Sequence, residues 1–99
     1  MTKGGIKMDK IVLVETEKSG SFEIRENNIV LAELNFNKLE NGVIDAYHTF
    51  VDSSLRGQGV AEKLYLELIQ YAKEKGYKII PTCSYIGRRI QKDLDLIKK

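Results

Sequence analysis

At Asp52 the spacing of apolar residues changes from two to 3.6, and that switch dictates most of what the chain can build. Before it, short apolar runs alternate with turn residues, as in an antiparallel meander. The first strand is expected over Ile11 to Glu17, turned by Lys18-Ser19-Gly20-Ser21 into a second over Phe22 to Glu26. Asn27-Asn28 suits a tight hairpin, because asparagine tolerates positive φ. A third strand, Ile29 to Asn37, puts Val30, Ala32, Leu34 and Phe36 on one face and Glu33, Asn35 and Asn37 on the other. After Asn41-Gly42, a fourth strand over Val43 to Val51 aligns Ile44, Ala46, His48 and Phe50, with Asp45, Tyr47, Thr49 and Val51 opposite. Beyond Asp52, Val60, Ala61, Leu64, Leu68, Ile69, Tyr71 and Ala72 form the stripe of a helix from Gly59 to Lys75, closed by Gly76. Tyr77 to Pro81 reads as a short buried strand. A last helix is expected from Ser84 to Lys98, with Tyr85, Ile86, Ile90, Leu94 and Ile97 inward. The order β-β-β-β-α-β-α predicts an α+β sandwich-like fold on a mostly antiparallel sheet.

A chain of 99 residues, 42% hydrophobic with a formal net charge of +2, can bury a core yet has no room for a second one. One domain over residues 1–99 is expected. Met1 to Lys10 lacks the apolar segment of a signal peptide and reads as a disordered or tag-derived lead-in, with Met8 an alternative start. The single cysteine, Cys83, excludes a disulfide framework and points to a reducing cytoplasm. No apolar run reaches the roughly 20 residues of a membrane helix, so no membrane partner is expected. Sixteen basic against fourteen acidic residues are too balanced for a dedicated nucleic-acid binder. The basic stretch Arg88, Arg89, Lys92, Lys98 and Lys99 is interrupted by Asp93 and Asp95 and brings no aromatic platform. One histidine and one cysteine on distant segments make no metal site.

The loop Arg56-Gly57-Gln58-Gly59-Val60-Ala61 enters the long helix with no Ser, Thr, Asp or Asn at the usual capping position. Its first amides are left as donors at the positive end of the helix dipole, where a phosphate or pyrophosphate fits. The two glycines also suit a plain tight turn, and the spacing alone does not separate these readings. The loop is neither a P-loop, which needs Gly-Lys-Ser/Thr, nor a complete dinucleotide fingerprint.

The run Val51-Asp52-Ser53-Ser54-Leu55-Arg56-Gly57-Gln58-Gly59-Val60-Ala61 resembles the coenzyme A signature of the GNAT acetyltransferase superfamily. His48-Thr49-Phe50-Val51 and Pro81-Thr82-Cys83-Ser84-Tyr85 narrow the resemblance to its small single-domain members, the YjdJ-type and NATD-like proteins. It covers about residues 22–97 and implies a truncated GNAT fold with acetyl-coenzyme A as cofactor. The resemblance implies that the pyrophosphate sits on the Arg56 to Ala61 amides, the pantetheine pairs with Thr49, Phe50 and Val51, and Ser84 adds a contact. A main-chain N–H near Thr49 to Val51 would polarise the thioester carbonyl. The chain departs from larger members in lacking the helix pair after the first strand and the strands after the last helix, which wall the acceptor. The Asn-x-x-Ala-x-x-x-Tyr general-acid pattern is absent too, since Ile90 stands seven after Cys83.

Three residues carry candidate chemistry. Cys83 lies at a helix entry, where dipole and amides lower a thiol pKa, and the resemblance places it near the acetyl group as an acyl acceptor. It equally suits a small buried hydrophobe. His48 is the obvious general base, yet the alternation places it among Ile44, Ala46 and Phe50 as a packed side chain. Glu33 is either a solvent carboxylate or an acid/base group. Lys63, Arg88, Arg89 and Lys92 read as solvated faces or as partners of the ribose phosphate. The function expected is acetyl transfer from coenzyme A to an amine or thiol of a small molecule or protein. The alternative is an acyl-coenzyme A-binding module without turnover.

Overall fold

The computed structural model describes residues 10–99, so all of the expected lead-in except Lys10 lies outside the described residues. Five strands form one sheet in chain order: β1 (Val12–Glu15), β2 (Ser19–Glu26), β3 (Ile29–Lys38), β4 (Val43–Val51) and β5 (Lys78–Ile80). The first four are antiparallel neighbours, whereas β5 pairs with β4 in parallel. Parallel pairing requires a crossover, which α1 (Val60–Lys75) supplies. Both hairpins turn where the sequence places them, with Asn27, Asn28, Asn41 and Gly42 all at positive φ. The mixed α+β architecture follows from the switch at Asp52.

The core is one cluster between α1 and one face of the sheet. Leu64, Tyr65, Leu68 and Ala72 of the helix meet Phe22, Leu34, Phe36 and Ile44, all buried. Each large side chain so buried contributes about 1.5–3 kcal/mol. Phe36 packs against Phe22 and Tyr71 with ring centroids 5.9 and 5.3 Å away. The Tyr71 hydroxyl donates to Glu15 Oε2 at 3.1 Å, which also receives Lys38 Nζ at 2.5 Å, so the edge strand is tied to the helix. That carboxyl sits below its ordinary pKa, first because of the Lys38 bond.

Three local departures reshape the site. The expected turn at Lys18 to Ser21 closes earlier, because Thr16 Oγ1 accepts from the Lys18 and Ser19 amides at 3.2 and 3.1 Å. Gly20 therefore belongs to β2, opposite Phe36. On β4, Asn35 pairs with His48 but Phe36 pairs with Ala46, leaving Tyr47 as a bulged extra residue. A one-residue slip exchanges the faces of everything after it. Thr49 and Val51 consequently lie opposite Leu34 and Ala32 on the core side, and His48 and Phe50 turn outward. His48 is exposed, not packed beside Ile44 and Ala46. Finally, the last helix stops early. α2 covers only Ser84–Arg89, followed by 3-10 turns at Ile90–Lys92 and Leu94–Leu96. The Lys98 amide donates to Ile79 O at 2.8 Å and Ile97 bridges Ile79, so the terminal segment joins the edge of β5. Leu94, expected inward, is half exposed, and Leu96 is buried instead.

Candidate functional site

β4 and β5 pair only from Val43 to Asp45, against Lys78 to Ile80. Beyond that point β5 ends and α2 begins. The opening at the far end of β4 is a cleft of about 250 Å³ lined by Val51, Leu55, Arg56, Gly59, Val60 and Tyr85 among others. One wall is the loop into α1. Asp52 caps the short 3-10 turn Ser53–Leu55 through the Ser54 amide at 2.9 Å and hydroxyl at 2.6 Å. These bonds, the hydroxyl's first, hold the Asp52 carboxyl below its ordinary pKa.

Gly59, at φ 72°, is the N-cap residue of α1 and offers no side-chain cap. The first helical bond runs from the Lys63 amide to Gly59 O at 3.1 Å, so the amides of Val60, Ala61 and Glu62 precede the ladder. With Gly57 also in the left-handed region, the loop presents bare backbone at the positive end of a 16-residue helix. One of the expected loop amides and one loop side chain are otherwise engaged. The Arg56 amide donates to Ser53 O at 3.2 Å, leaving its exposed side chain as the group free for a ligand. The Gln58 side chain reaches back to Ser54 O at 3.3 Å.

Cys83 is the N-cap residue of α2, half-buried against the core. Its amide donates to Ala46 O at 2.9 Å, across the line where the strands part. Its sulfur lies 3.4 Å from Thr49 Oγ1. Burial pushes the thiol pKa up, but the Thr49 hydroxyl and the amides of Ile86, Tyr85 and Thr49 outweigh it, so the thiol lies below its ordinary value. Ser84 beside it is exposed. Glu33 and His48 share the other face of the sheet on adjacent strands, where Glu33 pairs with Phe50 and Asn35 with His48. The structure thus joins Cys83 to Thr49 and separates both from Glu33 and His48.

A polar cluster behind the cleft went unread in the sequence. Glu62 and Tyr85 line the cleft, and Glu62 Oε1 is ion-paired with Arg89 Nη2. The Arg89 guanidinium lies 5.5 Å from the Tyr65 ring centroid. The Tyr65 hydroxyl, within the core, donates to Asp93 Oδ2 at 2.6 Å. Burial first and Asp93 second push the Tyr65 pKa well above its ordinary value, so the phenol stays a donor at any physiological pH. Arg89 is accordingly no solvated helix face.

The described residues contain no group of three or more His, Cys, Asp or Glu side chains suited to a metal ion. No described helix is long and apolar enough to cross a membrane. The profile of the GCN5-related N-acetyl-transferase family matches residues 21–98. A GCN5-like protein from Staphylococcus aureus, solved by NMR in solution, is 30% identical. The match covers 94% of this chain and 91% of that one with a TM-score of 0.66. An aminoglycoside acetyltransferase from an uncultured soil metagenomic sample, solved with trehalose, is 22% identical with a TM-score of 0.58. That match covers 67% of this chain and 47% of the other, so this chain spans about half its length. The aminoglycoside N-acetyltransferase AAC(6')-Iy in complex with CoA is 19% identical, with 80% and 68% covered and a TM-score of 0.52. At these lower identities the likeness is one of fold.

Proposed function

The chain belongs to the GCN5-related N-acetyltransferase family, whose chemistry is acetyl transfer, and on that premise we propose that it uses acetyl-coenzyme A through a Cys83 acyl-enzyme. The observation that carries this reading is the cleft between the uncapped first turn of α1, the end of β4 at Val51 and Tyr85, two residues beyond the Cys83 that contacts Thr49. The diphosphate rests on the amides from Gly57 to Ala61, with the Arg56 side chain alongside. The pantetheine follows Thr49, Phe50 and Val51, where β4 has no partner from β5. Ser84 flanks the thioester end.

In the first half-reaction the Cys83 thiolate attacks the thioester carbonyl carbon. A carbon–sulfur bond to Cys83 forms, the bond to coenzyme A breaks, and the departing thiolate takes a proton from solvent. One thioester replaces another, so the step is close to neutral in energy and requires chiefly proximity and amides aimed at the carbonyl oxygen. In the second half an amine attacks the acyl-cysteine, the amide bond forms, and the thiolate is restored as the amine loses a proton. A thiol acceptor would follow the same path to a new thioester. Glu33 and His48, on the opposite face of the sheet, are not needed in the first half and are the acid/base candidates left for the second. The whole chain, residues 1–99, is proposed to act as one domain.

Intact mass after incubation with acetyl-coenzyme A tests the reading. One acetyl adduct that hydroxylamine removes is expected, absent in Cys83→Ser, which still binds the coenzyme. Because the thiol pKa is lowered, alkylation by iodoacetamide should proceed fast near neutral pH and slow when coenzyme is bound. Coenzyme binding with no adduct, together with full amine transfer by Cys83→Ser, would give direct transfer instead. Binding with neither adduct nor transfer would leave a coenzyme-binding module without turnover.

A further inference from the structure

The cluster behind the cleft is built from residues that the proposed reaction does not use. Glu62 sits in the first turn of α1 and lines the cleft, directly after the run of amides where the diphosphate would rest. An unpaired carboxylate there opposes a phosphate-bearing ligand. Arg89 occupies that carboxylate from the other side of the cleft wall. The guanidinium lies over the Tyr65 ring, 5.5 Å from its centroid, with its Nε buried. The Tyr65 hydroxyl lies 3.4 Å from Arg89 O and bonds Asp93, so ring and backbone hold the same arginine. Its side chain is only 24% exposed against 43% for Glu62, so the Glu62 carboxylate is the part of the pair nearer solvent and ligand.

We infer that Arg89 is a positioning residue for the phosphate end of the coenzyme: it holds and neutralises Glu62, keeping the first turn of α1 receptive to a diphosphate without touching the ligand. The inference rests on the coenzyme reading above and concerns how that site selects a phosphorylated ligand. Charge compensation of this kind acts only on ligands that carry charge. Coenzyme A and pantetheine, which lacks the phosphates, are therefore the two probes.

Their dissociation constants would be measured by chemical-shift titration for wild type, Glu62→Gln, Arg89→Gln, Arg89→Lys and the Glu62→Gln/Arg89→Gln pair. Arg89→Gln should weaken coenzyme A about tenfold by exposing the Glu62 charge, with pantetheine changed less than about twofold. Glu62→Gln should tighten coenzyme A about threefold, and the double variant should return to within about threefold of wild type. Arg89→Lys, which keeps the charge and most of the stem, should stay within about threefold as well. A double variant as weak as Arg89→Gln alone would show that Arg89 binds phosphate directly and overturn the inference. Equal losses for pantetheine would reduce the cluster to wall packing and overturn it too. Should Arg89→Gln fail to fold, the half-exposed Glu62→Gln decides: tighter coenzyme A with unchanged pantetheine supports the inference, and weaker coenzyme A ends it. A wild type that binds no coenzyme A is a different result, which defeats the coenzyme reading itself.

Discussion

Gly59→Val is expected to weaken acetyl-coenzyme A at least about tenfold while leaving a folded protein. Gly59 holds φ 72° at the start of α1, a region that costs a branched side chain roughly 1–2 kcal/mol. A valine relieves that strain by turning the backbone, which swings the neighbouring amides out of the cleft. Its chain neighbours aside, no heavy atom of the described residues lies within 4 Å of a Cβ built at Gly59, so the added carbons occupy open space at the wall of the cleft. Gly76 supplies a matched control. It stands at φ 74° at the other end of the same helix, equally free of neighbours within 4 Å. Gly76→Val carries the same strain and should bind coenzyme as wild type does. Calorimetry on the two variants separates the outcomes, since equal losses would trace the effect to strain rather than to the site.

Gly20→Ala should lower the melting temperature by about 10–20 °C, although it adds one methyl group. A Cβ built at Gly20 lies 2.3 Å from Phe36 Cζ and within 2.9 Å of both Cε atoms. The ring has nowhere to go, because Phe36 is fully buried between Phe22 and Tyr71. Overpacking of this kind costs about 1–3 kcal/mol, a large share of the roughly 5–15 kcal/mol that stabilises a domain of this size. Adding Phe36→Leu should recover part of the loss by vacating the space of the ring. A Gly20→Ala protein that melts with wild type would mean that β2 and β3 are not in the register described.

Signals carried by neighbouring residues were legible before the structure. The Asn27-Asn28 and Asn41-Gly42 turns, the stripe of α1 and its uncapped glycine entry each depend on a few adjacent positions. The bulge at Tyr47 was not. Ile44, Ala46, His48 and Phe50 alternate as cleanly as the slipped set, and Phe50 and Val51 are both apolar, so either register buries one of them. That ambiguity placed His48 in the core and hid the partnership of Thr49 with Cys83, 34 residues apart. The expected helix to Lys98 failed for a related reason. Ile86, Ile90, Leu94 and Ile97 keep helical spacing, but the Tyr65 bond to Asp93 and the pairing of Ile97 with Ile79 draw the chain away. Tertiary contacts of this kind override local periodicity and leave no mark on it. The Glu62 and Arg89 pair is legible only once α1 and α2 are side by side.

A titration of acetyl-coenzyme A into the isotope-labelled protein, followed by backbone amide shifts, locates the coenzyme on the chain. A larger groove of about 660 Å³ lies at the opposite end of β4, lined by Asn41, Val43, Lys78, Leu94, Lys98 and Lys99 among others. Its lysines offer the phosphates a rival site that has neither a helix entry nor Cys83. A coenzyme site at the entry of α1 predicts saturable shifts at Gly57 to Ala61, along Thr49 to Val51 and at Cys83 and Ser84, with the groove at Lys78 unmoved. Shifts confined to Lys78, Lys98 and their neighbours, or none at any concentration, would contradict it.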